Sequence, residues 1–328
     1  EPVKKMSGSW KRKTQNTPPC FTAAGKLQAF LRYNRCMQRK ERIEQFVDIL
    51  WSWYSRHKRT LPWRDLPDTE ILVSEVMLQQ TQVPRVIGAY KKFLGTFPAI
   101  ADLAAASNKD VIVAWKGMGY NNRALRLRDA CRTVVQKRNS IFPSAMEDLQ
   151  DLPGIGHYTA AAVRNFALGM PTPCVDVNMR RVLHRTFFGP ERGDGTWEKD
   201  DAAVLELCTA LLDAWLHAGH GGADFLAALM DFGSLVQTKR NPKWDICPLS
   251  AAGIMKTTKK IFESRVTSHE REKNTTQHAK REPGRMVGSR FIPNRIFRGK
   301  IIDELREAPR ALTLEQIGKR VCIDWSEN

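Results

Sequence analysis

The 328-residue sequence carries 52 Lys+Arg against 35 Asp+Glu, a formal net charge of +17, with 42% hydrophobic and 9% aromatic residues. That composition excludes wholesale disorder and allows one or two hydrophobic cores of roughly 100–200 residues each. No run approaches the ~20 apolar residues of a membrane-spanning helix, and Glu1 to Lys13 lacks the apolar centre of a secretory signal, so an intracellular protein is expected.

Taken in chain order, residues 1–39 form a basic leader, polar at first and containing Pro18-Pro19. The first periodic segment runs from Lys40 to Trp53. From there to Ile254, apolar residues recur at spacings of three and four between glycines and prolines, which predicts a succession of short amphipathic helices. Residues 255–290 are polar and predict a linker, and 291–328 predict a short helical segment with two helices around Ala308-Pro309. Seven cysteines, at 20, 36, 131, 174, 208, 247 and 322, are scattered and never form a CxxC, so they are expected to be reduced thiols. The basic excess favours a polyanionic partner, although part of it lies in the leader and in residues 256–300.

One local unit is sharply specified. Ser144-Ala145-Met146-Glu147 has capping-box spacing, Leu152-Pro153-Gly154-Ile155-Gly156 interrupts the helix it starts, and a second helix is expected from His157 to Leu168, stopped by Gly169 and Pro171. Two glycines let the main chain approach a ligand closely, and amides opening the next helix can receive a phosphate. Read alone, the hairpin is equally a tight turn between packed helices.

The chain resembles the helix-hairpin-helix DNA glycosylases, and within them the MutY-like adenine-specific mismatch glycosylases. The resemblance covers residues 40–254. It is carried by Leu61-Pro62-Trp63-Arg64, by Ser74 to Val83 (SEVMLQQTQV), by Gly117-Met118-Gly119-Tyr120, by the hairpin through Ala160, and by Val175 to Leu183 (VDVNMRRVL). It implies an all-α fold of two helical lobes, with double-stranded DNA in the groove between them. The hairpin residues Leu152, Gly154, Gly156 and Thr159 would then meet the DNA.

Glu75 lies on a helix whose Leu72, Val73, Val76 and Met77 would face a core, where a carboxyl can be desolvated and its pKa raised. From that helix alone, a solvated glutamate is the simpler reading. The resemblance implies instead that Glu75 is the acid protonating adenine at N7. Asp176 has the local signature of an N-cap aspartate ahead of Arg180, Arg181 and Arg185. By resemblance it is the carboxylate that stabilises positive charge at the sugar C1′. Asn178 matches a family asparagine beside it, while Val177 replaces a commoner glycine.

Where bifunctional members carry a lysine that attacks C1′, this chain has Tyr158, which implies a monofunctional enzyme leaving an abasic site. Gln80 and Tyr120 match residues that fill the stack vacated by an extruded base, and Trp63 and Arg64 match the rim of the adenine pocket.

The departures are equally specific. The four positions that usually ligate a 4Fe-4S cluster read Gln237, Trp244, Cys247 and Gly253, so no cofactor is expected. Ala227 stands where many members read the adenine edge with Glu or Gln. About 75 residues follow Gly253, half of them linker, so a Nudix-like domain reading 8-oxoguanine is not expected. The implied protein is a monomer acting on mismatched DNA, nucleoid-associated in a prokaryotic cytoplasm or nuclear in a eukaryote. Two rivals remain: a thymine glycosylase for T/G mismatches, which shares the tyrosine but does not need Glu75, and a DNA-binding protein that has lost catalysis.

Overall fold

A computed structural model describes residues 23–64, 68–192, 194–264, 283–287, 290–308 and 311–321. Among them no helix is long and apolar enough to cross a membrane. Among the described residues twelve α-helices precede residue 252: α1 (Ala23–His57), α2 (Asp68–Leu78), α3 (Val83–Thr96), α4 (Ile100–Ala105), α5 (Asn108–Ala114), α6 (Asn122–Lys137), α7 (Met146–Gln150), α8 (His157–Phe166), α9 (Val177–Leu183), α10 (Asp201–His217), α11 (Gly222–Leu235) and α12 (Pro248–Ala251). Helix α3 shows why such segments fold: Pro84 sits in its first turn, and Val86, Tyr90 and Phe93 bury one face at spacings of four and three. In α10 the Asp200 side chain caps the Ala203 amide, and Val204, Leu207, Cys208, Leu211, Leu212 and Trp215 form the buried stripe.

These helices build two hydrophobic cores, as the resemblance implies. One gathers residues of α2 to α8 around Phe93, Trp115 and Leu127; the other gathers α1 and α8 to α12 around Phe46, Trp215 and Phe232. Helix α1 thus packs in the second lobe although it leads the chain, and Arg42 ties it there by donating to the carbonyls of Thr186 and Ile254. The chain crosses to the first lobe through residues 58–64 and returns through the hairpin.

Helix α8 belongs to both cores. Ala160 and Val163 face the first, while Ala161 and Ala162 face the second. Small side chains on both faces let two lobes close on a single helix, whose first turn carries Tyr158. The hairpin leading into it needs its first glycine: Gly154 has φ +80°, and a Cβ there would sit 2.9 Å from Arg126 Cβ.

Several expectations need correction. Helix α7 starts after Ala145 with no side-chain cap, so the capping box at Ser144 does not form; the Ser144 carbonyl instead accepts from Arg164. Helix α8 ends at Phe166, two residues early, and α1 begins well inside the expected leader. The linker does not begin at 255. Met255 and Thr257 are buried, the Lys256 and Thr257 amides donate to the carbonyls of Thr186 and Arg185, and Phe262 packs under the Arg185 guanidinium. At the far end of that stretch, Gly284–Val287 pairs antiparallel with Arg290–Pro293. Gly284 permits this, since a Cβ would meet the Ile292 carbonyl at 2.5 Å. The two C-terminal helices are present, as Asn294–Glu307 and Leu314–Val321. The first docks on the first lobe through Glu307 to Lys116 (2.7 Å) and Arg306 to Asn121 (3.1 Å).

Candidate active site

A cleft of ≈830 Å³ opens between the lobes, lined by Trp63, Arg64, Glu75, Gln80, Tyr158, Asp176 and Asn178 among others. The structure therefore brings together both carboxylates, the tyrosine, the asparagine and the pocket residues singled out in the sequence.

Glu75 sits mid-way along α2 with Ile71, Leu72, Val76 and Met77 buried around it, and is itself only 4% exposed. Loss of hydration dominates its chemistry and the charge of Asp176 adds to it, so its pKa is pushed up to about 7; the Tyr158 hydroxyl, bonding to the carboxylate, works against the shift. The same hydroxyl reaches Met230 Sδ at 3.3 Å. Burial, with Glu75 and Asp176 nearby, raises the Tyr158 pKa well above its ordinary value, so the phenol stays a hydrogen-bond donor.

Asp176 is the N-cap of α9, as its local sequence predicts. One oxygen accepts from the amides of Asn178 (2.9 Å) and Met179 (2.7 Å), and the other from Asn178 Nδ2 (2.8 Å). Burial raises its pKa, opposed by those three bonds and by Arg181. Arg181 donates to Asn178 Oδ1 (2.8 Å) and to the carbonyls of Gly233 (2.8 Å) and Gln237 (2.6 Å). The asparagine amide is thereby oriented with its NH₂ toward Asp176. Gly233 is required here, because a Cβ would lie 2.9 Å from the Asn178 carbonyl oxygen.

Some site residues escaped the sequence reading. Asp231, fully buried on α11, grips the crossing segment: it accepts from the Arg59 amide (3.0 Å), Arg59 Nε (2.8 Å) and Arg64 Nη2 (2.9 Å). An acid inside the apolar run Leu229-Met230-Asp231-Phe232 was the available signal, since a buried carboxylate demands partners elsewhere. Arg181 and Met230 gave no such signal.

The expected DNA contacts divide. Gln80 and Tyr120 are exposed, Tyr120 at 68%, and both adopt left-handed backbone conformations with φ 54° and 45°. Leu152 packs in the first core and Thr159 is buried against Gln79 (3.4 Å), leaving only their backbones for a duplex. Gly156 caps α8 in an extended conformation, with open space beside its Cα. Ala227 lines the cleft without a polar group, and Val177 is 72% exposed at its edge.

The four cluster positions do not fit iron and sulfide. Gln237 is fully buried, its Oε1 accepting from Arg185 (3.1 Å) and its Nε2 lying 3.4 Å from Cys247 Sγ and 3.9 Å from Met255 Sδ. Trp244 is buried against Phe262. Cys247 is the single thiol among the four, and burial pushes its pKa up. A 4Fe-4S cluster requires four thiolates, and here an amide and an indole occupy positions of two.

The hairpin and the two lobes define a helix-hairpin-helix DNA glycosylase fold. Residues 73–207 match the family described as HhH-GPD superfamily base excision DNA repair protein. A solved thermostable thymine-DNA glycosylase superposes with a TM-score of 0.58 and 27% identity, over 68% of this chain and 98% of that one; a non-covalent endonuclease III–DNA complex does so at 0.56 and 21%, over 70% and 98%. Adenine DNA glycosylases are similar in sequence. That of Mycolicibacterium smegmatis is 39% identical over 206 residues, 62% of this chain and 67% of that protein. That of Mycobacterium tuberculosis H37Rv is 38% identical over 203 residues, 61% and 64%, and that of Homo sapiens 36% over 219 residues, 64% and 39%. The chain belongs to the adenine DNA glycosylase family of the HhH-GPD superfamily. It spans about two-thirds of the mycobacterial relatives and well under half of the human one.

The raised pKa fixes the sign of the pH dependence. Glu75 holds its proton below about pH 7, so a step needing it as acid should slow as pH rises through that value. Stability should fall over part of the same range: between the ordinary value of 4.5 and about 7 the folded protein holds a proton that the unfolded chain has lost. Glu75→Gln should cost at least ~10²-fold in single-turnover rate and remove the alkaline limb while leaving binding nearly unchanged. A wild-type rate that rises through pH 7, or an unimpaired Glu75→Gln, would contradict the acid assignment.

Proposed function

We propose that this protein is a monofunctional DNA glycosylase that removes adenine mispaired with guanine or 8-oxoguanine. The observation that carries it is a buried Glu75, its pKa raised to about 7, sharing one cleft with Asp176, whose oxygens accept from three N–H donors at the head of α9. Glu75 gives its proton to adenine N7, drawing the electron pair of the C1′–N9 bond into the base. Positive charge then develops on the sugar, where Asp176 faces it. Water adds to C1′ and gives its proton to the Glu75 carboxylate, which restores the acid and leaves adenine and an abasic strand. Two carboxyls with opposite protonation serve this chemistry. A thymine glycosylase has no need of the acid, and a protein without catalysis has no need of the Arg181–Asn178–Asp176 chain.

The partner is duplex DNA containing a mismatch, bound by the chain as a monomer, in the nucleoid-bearing cytoplasm or the nucleus according to the cell. The +17 net charge suits that partner, because each cation set against a phosphate releases counterions. Ala227 removes a side chain from the base-facing wall, so base selection falls to the remaining polar groups of the cleft.

Single-turnover assays on duplexes with A or T opposite G or 8-oxoguanine test this directly. Adenine release with an intact strand that breaks only in hot alkali is expected, since Tyr158 offers no amine for a Schiff base. Thymine release in place of adenine, or strong borohydride trapping, would contradict it. The cluster region is proposed to fold and work without iron, on the strength of the Gln237–Arg185 bond and the lone Cys247. Metal analysis of active protein should find iron well below stoichiometric, and four irons per chain would overturn that.

A further inference from the structure

Gln80 and Tyr120 sit on separate loops, yet one side chain holds both. Arg123, in the first turn of α6, donates through Nη1 to the carbonyls of Val76 (2.8 Å), Met77 (3.1 Å) and Gln79, and through Nη2 to Thr81 Oγ1 (3.1 Å) and the carbonyls of Met118 (3.2 Å) and Gly119 (3.3 Å). The first two carbonyls close the last turn of the helix that carries Glu75, where intrahelical donors have run out. Gln79 and Thr81 flank Gln80, and Met118 and Gly119 lead into Tyr120. The guanidinium carbon also lies 5.7 Å from the Tyr120 ring centre and 5.5 Å from that of Trp115, whose indole N–H donates to the Gly119 carbonyl (3.1 Å).

Both loop residues are non-glycines at positive φ, a conformation that persists only where the surroundings over-determine it. Here the surroundings are largely one planar fork of donors. A lysine cannot replace it, because three N–H groups on a single nitrogen do not span acceptors on two loops and a helix end.

We propose that Arg123 is a positioning residue for base extrusion, locking the Gln80 and Tyr120 loops to each other and to the end of the Glu75 helix. The two exposed residues then enter the duplex as one rigid wedge at a fixed distance from the acid. This rests on reading the protein as a glycosylase that extrudes its target base. A wedge that must first be ordered on the DNA spends binding free energy on that ordering instead of on unstacking. A displacement of the order of 1 Å at the acid costs about 10²-fold in rate.

The test compares wild type with Arg123→Met and Arg123→Lys, folding being checked by circular dichroism. Adenine release is measured in single turnover on an A·G duplex and on a duplex in which the adenine faces an abasic analogue and is already poorly stacked. In a parallel duplex, 2-aminopurine replaces the adenine and reports unstacking by a gain in fluorescence. Both variants should lose about 10²-fold on the A·G duplex, lose most of the fluorescence gain, and be substantially rescued on the pre-opened duplex. Arg123→Met should add little to Tyr120→Ala, as expected of residues acting through one another. Equal losses on both duplexes, an undiminished fluorescence gain, or strict additivity with Tyr120→Ala would overturn the proposal. Should Arg123→Met fail to fold, Arg123→Lys alone and combined with Tyr120→Ala decides it. If the wild type releases no adenine from either duplex, the glycosylase reading fails; the fluorescence gain then judges Arg123 alone, and its retention in the variants overturns the wedge.

Discussion

A carboxyl group kept from water, with a second carboxyl close enough to resist its ionisation, is the interaction around which this structure is arranged. Glu75 projects from a helix whose flanking residues are packed into the first core, so hydration is lost before any ligand arrives. Asp176 then makes a second negative charge in the cleft unfavourable. The cations lining the cleft are engaged elsewhere: Arg59 and Arg64 with Asp231, and Arg180 with Asp201. With their charge committed, the guanidiniums do not simply neutralise the acid. Burial raises the pKa of Asp176 as well, but there the amides at the head of α9, the Asn178 side chain and Arg181 favour the anion and oppose the rise. Two residues of nearly the same intrinsic acidity are thereby treated unequally: Glu75 has the Tyr158 hydroxyl against its burial, whereas Asp176 has three N–H donors and a guanidinium.

The architecture serves that contrast. Glu75 comes from one lobe and Asp176 from the other, and α8 sets their separation because its alanines belong to both cores. Asp231 performs a similar service for the crossing segment, fixing Arg59 and Arg64 on the cleft wall from the second lobe. A substitution in either core would therefore reach the chemistry by altering how the lobes close on α8, without touching a reacting atom.

Much of this was legible in the sequence, for identifiable reasons. The periodicity of three and four announced an all-α molecule, the two glycines announced the hairpin, and the ordered motifs placed Glu75, Asp176, Asn178 and Tyr158 in one site. Asp176 as an N-cap could be read locally, because capping depends on three or four neighbouring residues. What could not be read depends on contacts across long stretches of chain. Asp231 reaches back 172 residues to Arg59, and Arg185 reaches 52 residues to Gln237. No local pattern marks such pairs. The packing of 255–264 onto the core and the pairing of 284–287 with 290–293 were misjudged for the same reason. Polar composition said loop, while a carbonyl or an aromatic ring elsewhere in the fold said otherwise.

The account stands or falls on the protonation state of one side chain. Carbon-13 labelling of glutamate carboxyls, with Glu75→Gln assigning the resonance, would follow its titration in the free protein. The account predicts a midpoint near 7 in the wild type, moving downward in Asp176→Asn as the neighbouring charge is removed, yet staying above 4.5 because burial is the larger cause. A midpoint near the ordinary glutamate value in the wild type, or one that does not respond to Asp176→Asn, would contradict it.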